Sequence, residues 1–199
     1  MSVPTEYFER LFRANPDPWA FRSRWYEKRK RELTLATLQH QRYERIFEPA
    51  CANGELSVAL AKRSESLICM DTSFAAVELA REHLKEQTGV EVVHGQLPRD
   101  WPEGDFDLIV LSEVGYYLTP HEWQQVIEKA KGSLTPEGSI LACHWLPPIT
   151  DCPQDGRLVH DLLERHLSLH RSVRHEEQDF LLELWCRHLH TIDLEEEAL

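Results

Sequence analysis

Two segments in the first half of the chain carry residue types suited to binding a nucleotide-like ligand. An apolar pair at 46–47 leads into the small-residue segment 48–54, Glu-Pro-Ala-Cys-Ala-Asn-Gly, and a second apolar run at 67–70 ends in Asp71. This order predicts a strand, a tight turn, a helix and a second strand that ends in an acid. Small residues let backbone amides approach a ligand, and a carboxylate after the second strand accepts hydrogen bonds from ribose hydroxyls.

The turn departs from the glycine-rich sequence of a dinucleotide site. Ala50 and Ala52 stand where such a site has glycine, and of its three glycines only Gly54 remains. Glu48 places a carboxylate at the strand end, where it would repel a phosphate and attract a cation; alternatively, it accepts hydrogen bonds from amides of its own turn. These residues favour a cationic, amino-acid-like ligand without phosphate. S-adenosylmethionine, with its ammonium, sulfonium and adenosine, is such a molecule.

Composition limits the classes of partner. The 199 residues, 42% hydrophobic and 28% charged, are typical of one globular domain. The formal net charge of −12 argues against a general binder of nucleic acid or anionic membranes. The local basic cluster at 22–31 is either a solvated helix face or a nucleic-acid contact, and the first interpretation is favoured. We therefore expect a small-molecule or oligosaccharide partner, no nucleic acid and no membrane, and leave the oligomeric state open.

The cysteines show no metal-binding spacing. There are five, Cys51, Cys69, Cys143, Cys152 and Cys186, which are widely separated and include no CxxC pair. Three of the five lie in runs that resemble buried strands. We expect small core side chains in a reducing compartment, and no metal site. With neither a targeting segment nor an apolar run of membrane-spanning length in the sequence, a cytoplasmic location is expected.

Alternating strand and helix patterns would position the candidate residues. Strands are predicted at 46–47, 67–70, 90–93, 106–111 and 139–144, with helices from about 56, 73, 123 and 156, and with a turn at 135–138. Extended segments at 167–175 and 180–185 predict a closing hairpin. The predicted fold is an α/β, Rossmann-like, doubly wound sheet of seven mostly parallel strands, with a C-terminal antiparallel hairpin and an N-terminal helical cap.

The segment before the first strand is rich in aromatic residues. Two prolines at 16 and 18 interrupt it, so we predict a short helix, an irregular turn and a longer helix from about residue 20. This segment is either a lid or part of the packing at the sheet edge. The chain would thus comprise one domain, with a lid at 1–41, a cofactor-binding core at 42–145, a helix and hairpin at 146–190 and an acidic tail at 191–199.

Open α/β sheets bind ligands outside the carboxyl ends of their strands. Four places meet this condition: the turn after the first strand, Asp71, residues 94–97 and residues 112–117. Asp71 would accept hydrogen bonds from ribose hydroxyls, while Gln96 and the Leu97 amide would face the adenine edge; alternatively, Gln96 is only a surface loop residue. The predicted cofactor contacts here are Glu48, Pro49, Ala50, Gly54, Asp71, Thr72, Ser73, Gly95, Gln96, Leu97, Ser112, Glu113 and Val114.

At the level of motifs, the chain resembles class I S-adenosylmethionine-dependent methyltransferases, and among them it is similar to the nodulation protein S (NodS) type. The resemblance extends over nearly the whole chain. The segments that carry it are 16–19 (Pro-Asp-Pro-Trp), 25–30, 48–54, 71–73, 107–118, 143–145, His160 and 179–185. Gln96 departs from the pattern, because an acid is usual after the third strand; an amide still pairs with adenine, so cofactor binding is expected.

The resemblance implies S-adenosyl-L-methionine as cofactor and methyl transfer to a small-molecule or saccharide acceptor. N-methylation of an amino sugar-like substrate is favoured, because the named member of the type methylates a nitrogen on a chitooligosaccharide. The resemblance also implies an N-terminal helical lid. In that lid Trp19, Trp25 and Tyr26 would cover the cofactor, and Arg29 would bind its carboxylate.

Methyl transfer needs an acceptor lone pair held in line with the sulfonium, and a general base helps when the acceptor is a hydroxyl or a protonated amine. The candidates are Glu113, Tyr117 and His144, which would end the fifth strand. A structural role is the alternative for His144, and His160 is placed to join it. Two other functions stay open: a non-catalytic binding or scaffold module with the same fold, and a nicotinamide-dependent oxidoreductase, which the missing glycines disfavour.

Overall fold

The computed structural model describes residues 1–189, 195, 197 and 198. Most of the acidic tail predicted at 191–199 lies outside these residues. The strands are β1 (Tyr43–Pro49), β2 (Ser64–Asp71), β3 (Val90–His94), β4 (Phe106–Ser112), β5 (Leu134–Trp145), β6 (His170–Glu176) and β7 (Phe180–Cys186). The α-helices are α1 (Thr5–Ala14), α2 (Trp25–Thr37), α3 (Ser57–Ala61), α4 (Phe74–Leu84), α5 (Pro120–Gly132) and α6 (Gly156–His166), and a 3-10 helix spans Gly115–Tyr117.

All seven strands form one sheet in the order β3-β2-β1-β4-β5-β7-β6. The first five run parallel, whereas β7 runs antiparallel to both β5 and β6. The chain therefore has the predicted fold: a mostly parallel α/β sheet, with the strand order reversing between β1 and β4, that closes with an antiparallel hairpin. That reversal is where a doubly wound sheet opens a crevice for a ligand.

The central strands are buried on both faces of the sheet. In the β1–β4 pairing, Ile46 lies opposite Leu108 and Phe47 lies opposite Ile109, and all four side chains are 0% exposed. Successive strand residues point to opposite faces. Ile46 and Leu108 accordingly belong to one hydrophobic core and Phe47 and Ile109 to the other. Helices on both faces cover these apolar runs, as parallel strands require.

Local sequence explains where the helices beside the ligand-binding edge begin. Ser73, predicted as a cap, accepts a hydrogen bond from the Ala76 amide at 3.2 Å and starts α4. The Thr119 hydroxyl accepts from the Glu122 amide at 3.2 Å while the Glu122 carboxylate accepts from the Thr119 amide at 3.1 Å, which is a capping box at the start of α5. Ser73 lies two residues after the end of β2, whereas Thr119 follows the 3-10 helix that comes after β4.

Several boundaries differ from the sequence prediction, and two of them have a clear local cause. The second helix begins at Trp25 instead of about residue 20, because Ala20 has a left-handed φ of 58° and the Asp17 carboxylate accepts the Phe21 and Arg22 amides in a turn. The turn predicted at 135–138 lies inside β5, where a shift in register between β4 and β5 accommodates it. No helix in the described part of the chain is long and apolar enough to cross a membrane.

Candidate active site

A cavity of about 370 Å³ lies at the carboxyl ends of the parallel strands. Its walls come from the ends of β1, β2, β3 and β4, and its roof from the N-terminal segment. Of the residues predicted for the site, those that line this cavity are Trp19, Ala50, Asp71, Thr72, Gly95, Gln96, Leu97, Glu113, Val114 and Tyr117. The other predicted residues lie elsewhere: Trp25, Tyr26, Arg29, Glu48, Pro49, Gly54, Ser73, Ser112 and His144.

Helix α1 is held over the cavity by contacts before it and in its middle. Before the helix, the Val3 amide donates to the Tyr117 carbonyl at 2.9 Å. In the middle of the helix, the Glu9 carboxylate accepts from the Ser73 hydroxyl at 2.7 Å and from the Ala75 amide at 3.1 Å. These hydrogen bonds lower the pKa of Glu9, the Ala75 amide having the largest effect. The closed position of α1 therefore depends on an anion at the start of α4, where a helix favours negative charge.

The turn after β1 keeps its tight path although it contains alanines. Ala50 and Ala52 have φ values of 57° and 53°, in the left-handed region that favours glycine, and Gly54 has a φ of 81°. The alanines thus keep the backbone of a glycine-rich turn and add two methyl groups to the cavity wall. Gly54 does not reach the cavity; a side chain there would meet Ala80 of α4 at 3.4 Å. Pro49 ends β1 beneath the turn.

Asp71 connects the turn to the end of β2. Its carboxylate accepts hydrogen bonds from the Ala52 amide at 3.0 Å and from the Ser73 amide at 2.9 Å, and the residue is 6% exposed. Burial raises its pKa to about 6, against the effect of the amides, so the carboxylate is ionised at neutral pH. A buried, ionised acid that borders an open cavity is suited to accept hydrogen bonds from ligand hydroxyls. Ser73 contributes through its amide and as the cap of α4.

Glu48 and Ser112 lie in a small side pocket of about 70 Å³. This pocket adjoins the main cavity, because Ala50, Ala52 and Glu113 line both. Glu48 is 3% exposed, and burial raises its pKa to about 8. The acid predicted to meet a cation is thus present, one layer behind the main cavity.

A group of three charged residues forms one wall of the cavity. The Lys30 ammonium lies 2.7 Å from Glu113 Oε1 and 3.1 Å from Glu27 Oε2. Burial alone would lower the pKa of Lys30, but the neighbouring negative charges, Glu113 first among them, raise it. The second oxygen of Glu113 accepts from the Tyr116 hydroxyl and from the Trp145 amide, the latter at 3.1 Å. Glu113 also has a left-handed φ of 54°, so several contacts fix its position.

Arg29 and the two aromatic residues of α2 are placed differently from the prediction. Arg29 makes a two-point ion pair with Glu177 at 2.8 and 2.6 Å and does not line the cavity. Tyr26 packs edge-on against Trp145, and Trp25 is 67% exposed. On a helix, residues 25, 26 and 29 cannot all share the face that carries Glu27 and Lys30. The cavity is instead bordered by Arg24, whose side chain makes no ion pair among the described residues.

His144 lies outside the cavity, which contradicts its predicted place as a base there. It is 0% exposed, and its Nε2 accepts a hydrogen bond from the Gly115 amide at 3.1 Å behind the 3-10 helix. Burial lowers its pKa well below the usual value, with a smaller contribution from His160. His160 does join it, with Nε2 3.1 Å from His144 Nδ1.

The sequence prediction did not assign several cavity residues to the site: Tyr7, Phe8, Phe12, Arg24, Glu27, Lys30, Tyr116 and Trp145. The aromatic residues of α1 were visible as a possible lid, and Lys30 as part of the basic cluster at 22–31. Arg22, Lys28 and Arg29 of that cluster are partly exposed, whereas Lys30 is buried and pairs with Glu113 at the cavity. Of the cluster, Arg24 and Lys30 border the cavity, whereas Arg22 and Arg29 do not.

Comparison with known proteins agrees with this geometry. A family model described as a methyltransferase domain matches residues 46–138. A solved structure from Pseudomonas syringae, described as a candidate methyltransferase, is 51% identical with a TM-score of 0.75, over 82% of this chain and 100% of that one. The structure of the N-methyltransferase NodS from Bradyrhizobium japonicum with S-adenosyl-L-homocysteine is 22% identical with a TM-score of 0.83, over 92% and 97% of the two chains, and shows the shared fold.

Two curated sequences are similar to part of the chain. Nodulation protein S of Rhizobium tropici is 29% identical over 130 residues, which are 64% of this chain and 55% of that protein. An uncharacterized methyltransferase of Synechocystis is 28% identical over 131 residues, 62% and 61% of the two. The chain spans less than two thirds of the length of either relative. Because a solved methyltransferase relative of 51% identity is matched over its full length, the chain belongs to the S-adenosylmethionine-dependent methyltransferases.

Proposed function

We propose that this protein transfers a methyl group from S-adenosylmethionine to an amine nitrogen of a small molecule, with an amino sugar-like acceptor favoured. The observation that carries the choice of an amine is the charge of the cavity wall. Three carboxylates (Glu27, Asp71 and Glu113) and two cations (Arg24 and Lys30) line the cavity. This net negative charge suits a ligand that carries a sulfonium and an acceptor that arrives as an ammonium ion.

The residues around the turn fit this cofactor better than a dinucleotide. The side pocket is lined by three carboxylates, Glu27, Glu55 and Glu113, and by the buried acid Glu48, against Lys30 and Arg31. Such a set opposes a pyrophosphate and accommodates an ammonium. When bound, S-adenosylmethionine supplies a methyl group on a positively charged sulfur, which the acceptor nitrogen attacks.

Each part of the cavity has a proposed share in holding the cofactor. Asp71 accepts the ribose hydroxyls, and residues 95–97 border the adenine. Glu48, in the side pocket, faces the amino group. Arg24, instead of the predicted Arg29, binds the carboxylate. Trp19 and α1 exclude water from above.

The acceptor is proposed to lie against the opposite wall, formed by the segment 113–118 and Trp145. Of the three predicted bases, His144 is outside the cavity, and burial raises the pKa of Tyr117, so this phenol keeps its proton at neutral pH. Glu113 is therefore the proposed proton acceptor. Its contacts with Lys30 and the Trp145 amide fix its direction, so that an amine approaching it is also held in place.

The nitrogen proposal is supported by two curated relatives named nodulation protein S and by the structure described as the N-methyltransferase NodS. At these identities the relatives leave the acceptor of this chain open, so the amine rests on the cavity charges. A non-catalytic binding module is the second candidate, because Lys30 already occupies one oxygen of Glu113.

Methyl-labelled S-adenosylmethionine, incubated with the protein and with amines, amino sugars and hydroxylated compounds, tests the proposal. We expect label on nitrogen, and we expect Glu113→Gln to lower kcat by roughly 100-fold, the low end for general base catalysis. Arg29→Gln, which lies outside the cavity, is the matched control and should keep kcat. Label only on oxygen would overturn the amine. Cofactor binding without transfer to any acceptor would favour the binding module, and preferential binding of NAD in calorimetry would favour the oxidoreductase.

A further inference from the structure

A hydrogen-bonded network of buried polar side chains lies behind the acceptor wall and is not used in the proposed chemistry. The Gly115 amide is hydrogen-bonded to His144 Nε2 at 3.1 Å, His144 Nδ1 to His160 Nε2 at 3.1 Å, and His160 Nδ1 to Glu183 Oε2 at 2.6 Å. These three side chains are at most 3% exposed. Buried polar groups are kept in a core only where hydrogen-bond partners satisfy them, so every member of this network needs its neighbour.

The hydrogen bonds between the side chains of this network all donate in one direction, toward Glu183. A backbone amide only donates, so Nε2 of His144 must accept, and in a neutral imidazole the proton then lies on Nδ1. That proton is donated to Nε2 of His160, which places the second proton on Nδ1, facing Glu183. Each step fixes the next, and both histidines are held in the Nδ1–H tautomer.

Glu183 is the last acceptor of this network and is ionised. Its other oxygen, Oε1, accepts from Arg174 at 2.6 Å and from Arg171 at 3.1 Å. Burial alone would raise the pKa of Glu183, but the hydrogen bond from His160 and the charges of the two arginines lower it. A fixed negative charge at this end therefore keeps the proton of His160 directed toward Glu183.

The segment that receives these contacts is held from a second direction as well. Gln154 donates to the Gly115 carbonyl at 2.9 Å and to the Leu118 carbonyl at 3.0 Å. A side chain at Gly115 would meet Val159 at 2.5 Å. Both polar groups of the Gly115 backbone are thus bound by side chains outside the cavity, whereas Glu113, Tyr116 and Tyr117 on the same segment face into it.

We infer that His144, His160 and Glu183 are positioning residues, which orient the acceptor wall through the Gly115 amide without touching either ligand. This inference rests on the proposed function, since it assigns the segment 113–118 to the acceptor. The cofactor wall at Asp71 lies on other strands and makes no contact with this network.

A pair of substitutions at His160 separates hydrogen-bond direction from packing. Glutamine keeps the polarity, because its oxygen accepts from His144 and its amide donates to Glu183, whereas His160→Leu removes both functions at similar volume. We expect His160→Leu to lower kcat at least 10-fold with a cofactor dissociation constant within two-fold of wild type, and His160→Gln to recover most of the loss. The control is His166→Leu on the same helix, which should leave kcat unchanged. Equal activity of His160→Leu and wild type would overturn the inference.

Nitrogen-15 NMR of the imidazoles provides a readout that needs no methyl transfer. In the wild-type protein both His144 and His160 should be protonated on Nδ1. A wild-type His144 protonated on Nε2 would refute the proposed direction of the hydrogen bonds, whatever molecule accepts the methyl group. The wild-type measurement also decides the matter if His160→Leu fails to fold. A proton on Nδ1 of His144 together with no methyl transfer would support the hydrogen-bonded network and refute only the proposed function.

Discussion

The Asp71 carboxylate accepts a hydrogen bond from the Ala52 amide at 3.0 Å. This contact joins the end of β2 to the turn after β1, so the group proposed to bind the ribose also fixes the backbone beside it. Cofactor affinity and the shape of the turn are therefore coupled through one side chain.

Asp71→Ala should weaken binding of S-adenosylhomocysteine by about 1 to 3 kcal/mol, because the ribose hydroxyls and two backbone amides lose their acceptor. Asp107→Ala is the matched control. The Asp107 carboxylate also accepts hydrogen bonds from two backbone amides, those of Glu44 and Arg45, but near the amino-terminal ends of the strands, away from the cavity. Isothermal titration calorimetry should show unchanged affinity for the control, although both variants lose stability. Equal affinity of Asp71→Ala and wild type would show that the ribose binds elsewhere.

Glu48 should make the free protein less stable as the pH rises from 7 to 8. Its pKa of about 8 in the folded protein lies above the ordinary 4.5, so in this interval the folded state binds a proton that the unfolded chain has lost. The free energy of unfolding should accordingly fall by about 1 kcal/mol over that unit of pH. Urea titrations at both values measure it, and Glu48→Gln should lack this part of the slope. An identical slope in both proteins would contradict the assignment.

Cofactor binding should release a proton from the same group. An ammonium beside Glu48 favours its ionised form and lowers its pKa. At pH 7 the binding enthalpy of S-adenosylhomocysteine should therefore vary with the ionisation enthalpy of the buffer. This dependence should disappear in Glu48→Gln; if it persists, another group releases the proton.

Arg24→Gln should weaken binding of S-adenosylhomocysteine by about 1 kcal/mol, the size expected for an exposed charged contact. Methylthioadenosine lacks the amino-acid part, so its affinity should not change. Arg29→Gln breaks only the contact with Glu177 and should leave both affinities as they are. Loss of affinity in Arg29→Gln but not in Arg24→Gln would restore the role first predicted for Arg29.

Ala52→Gly should change the free energy of unfolding by less than about 0.5 kcal/mol, since relief of the left-handed backbone offsets the greater freedom of glycine in the unfolded chain. Ala59→Gly, in the middle of α3, should cost about 1 kcal/mol because it lacks this compensation. Chemical denaturation of both variants measures the difference. A large loss for Ala52→Gly would indicate that its methyl group packs in a way the backbone does not require.

Much of the fold could be predicted from local patterns. The apolar runs of β2 and β4 and the cap at Ser73 lie where they were expected, because burial on both faces and end-capping leave a signature within a few residues. The start of α2 was misplaced because the turn at Ala20 is held by Asp17, through hydrogen bonds that composition alone does not reveal.

The sequence by itself determined the edge of the sheet where a ligand would lie, and with it Asp71, Glu113 and the segment 95–97. Parallel strands bring their carboxyl ends together whatever the details of packing, so residues that follow strands meet there. Only the tertiary structure decided which residues of α2 face the cavity and that His144 faces away from it. Those outcomes depend on how a helix packs at the strand ends and on which buried donor an imidazole meets, and both are long-range relationships that spacing along the chain does not encode.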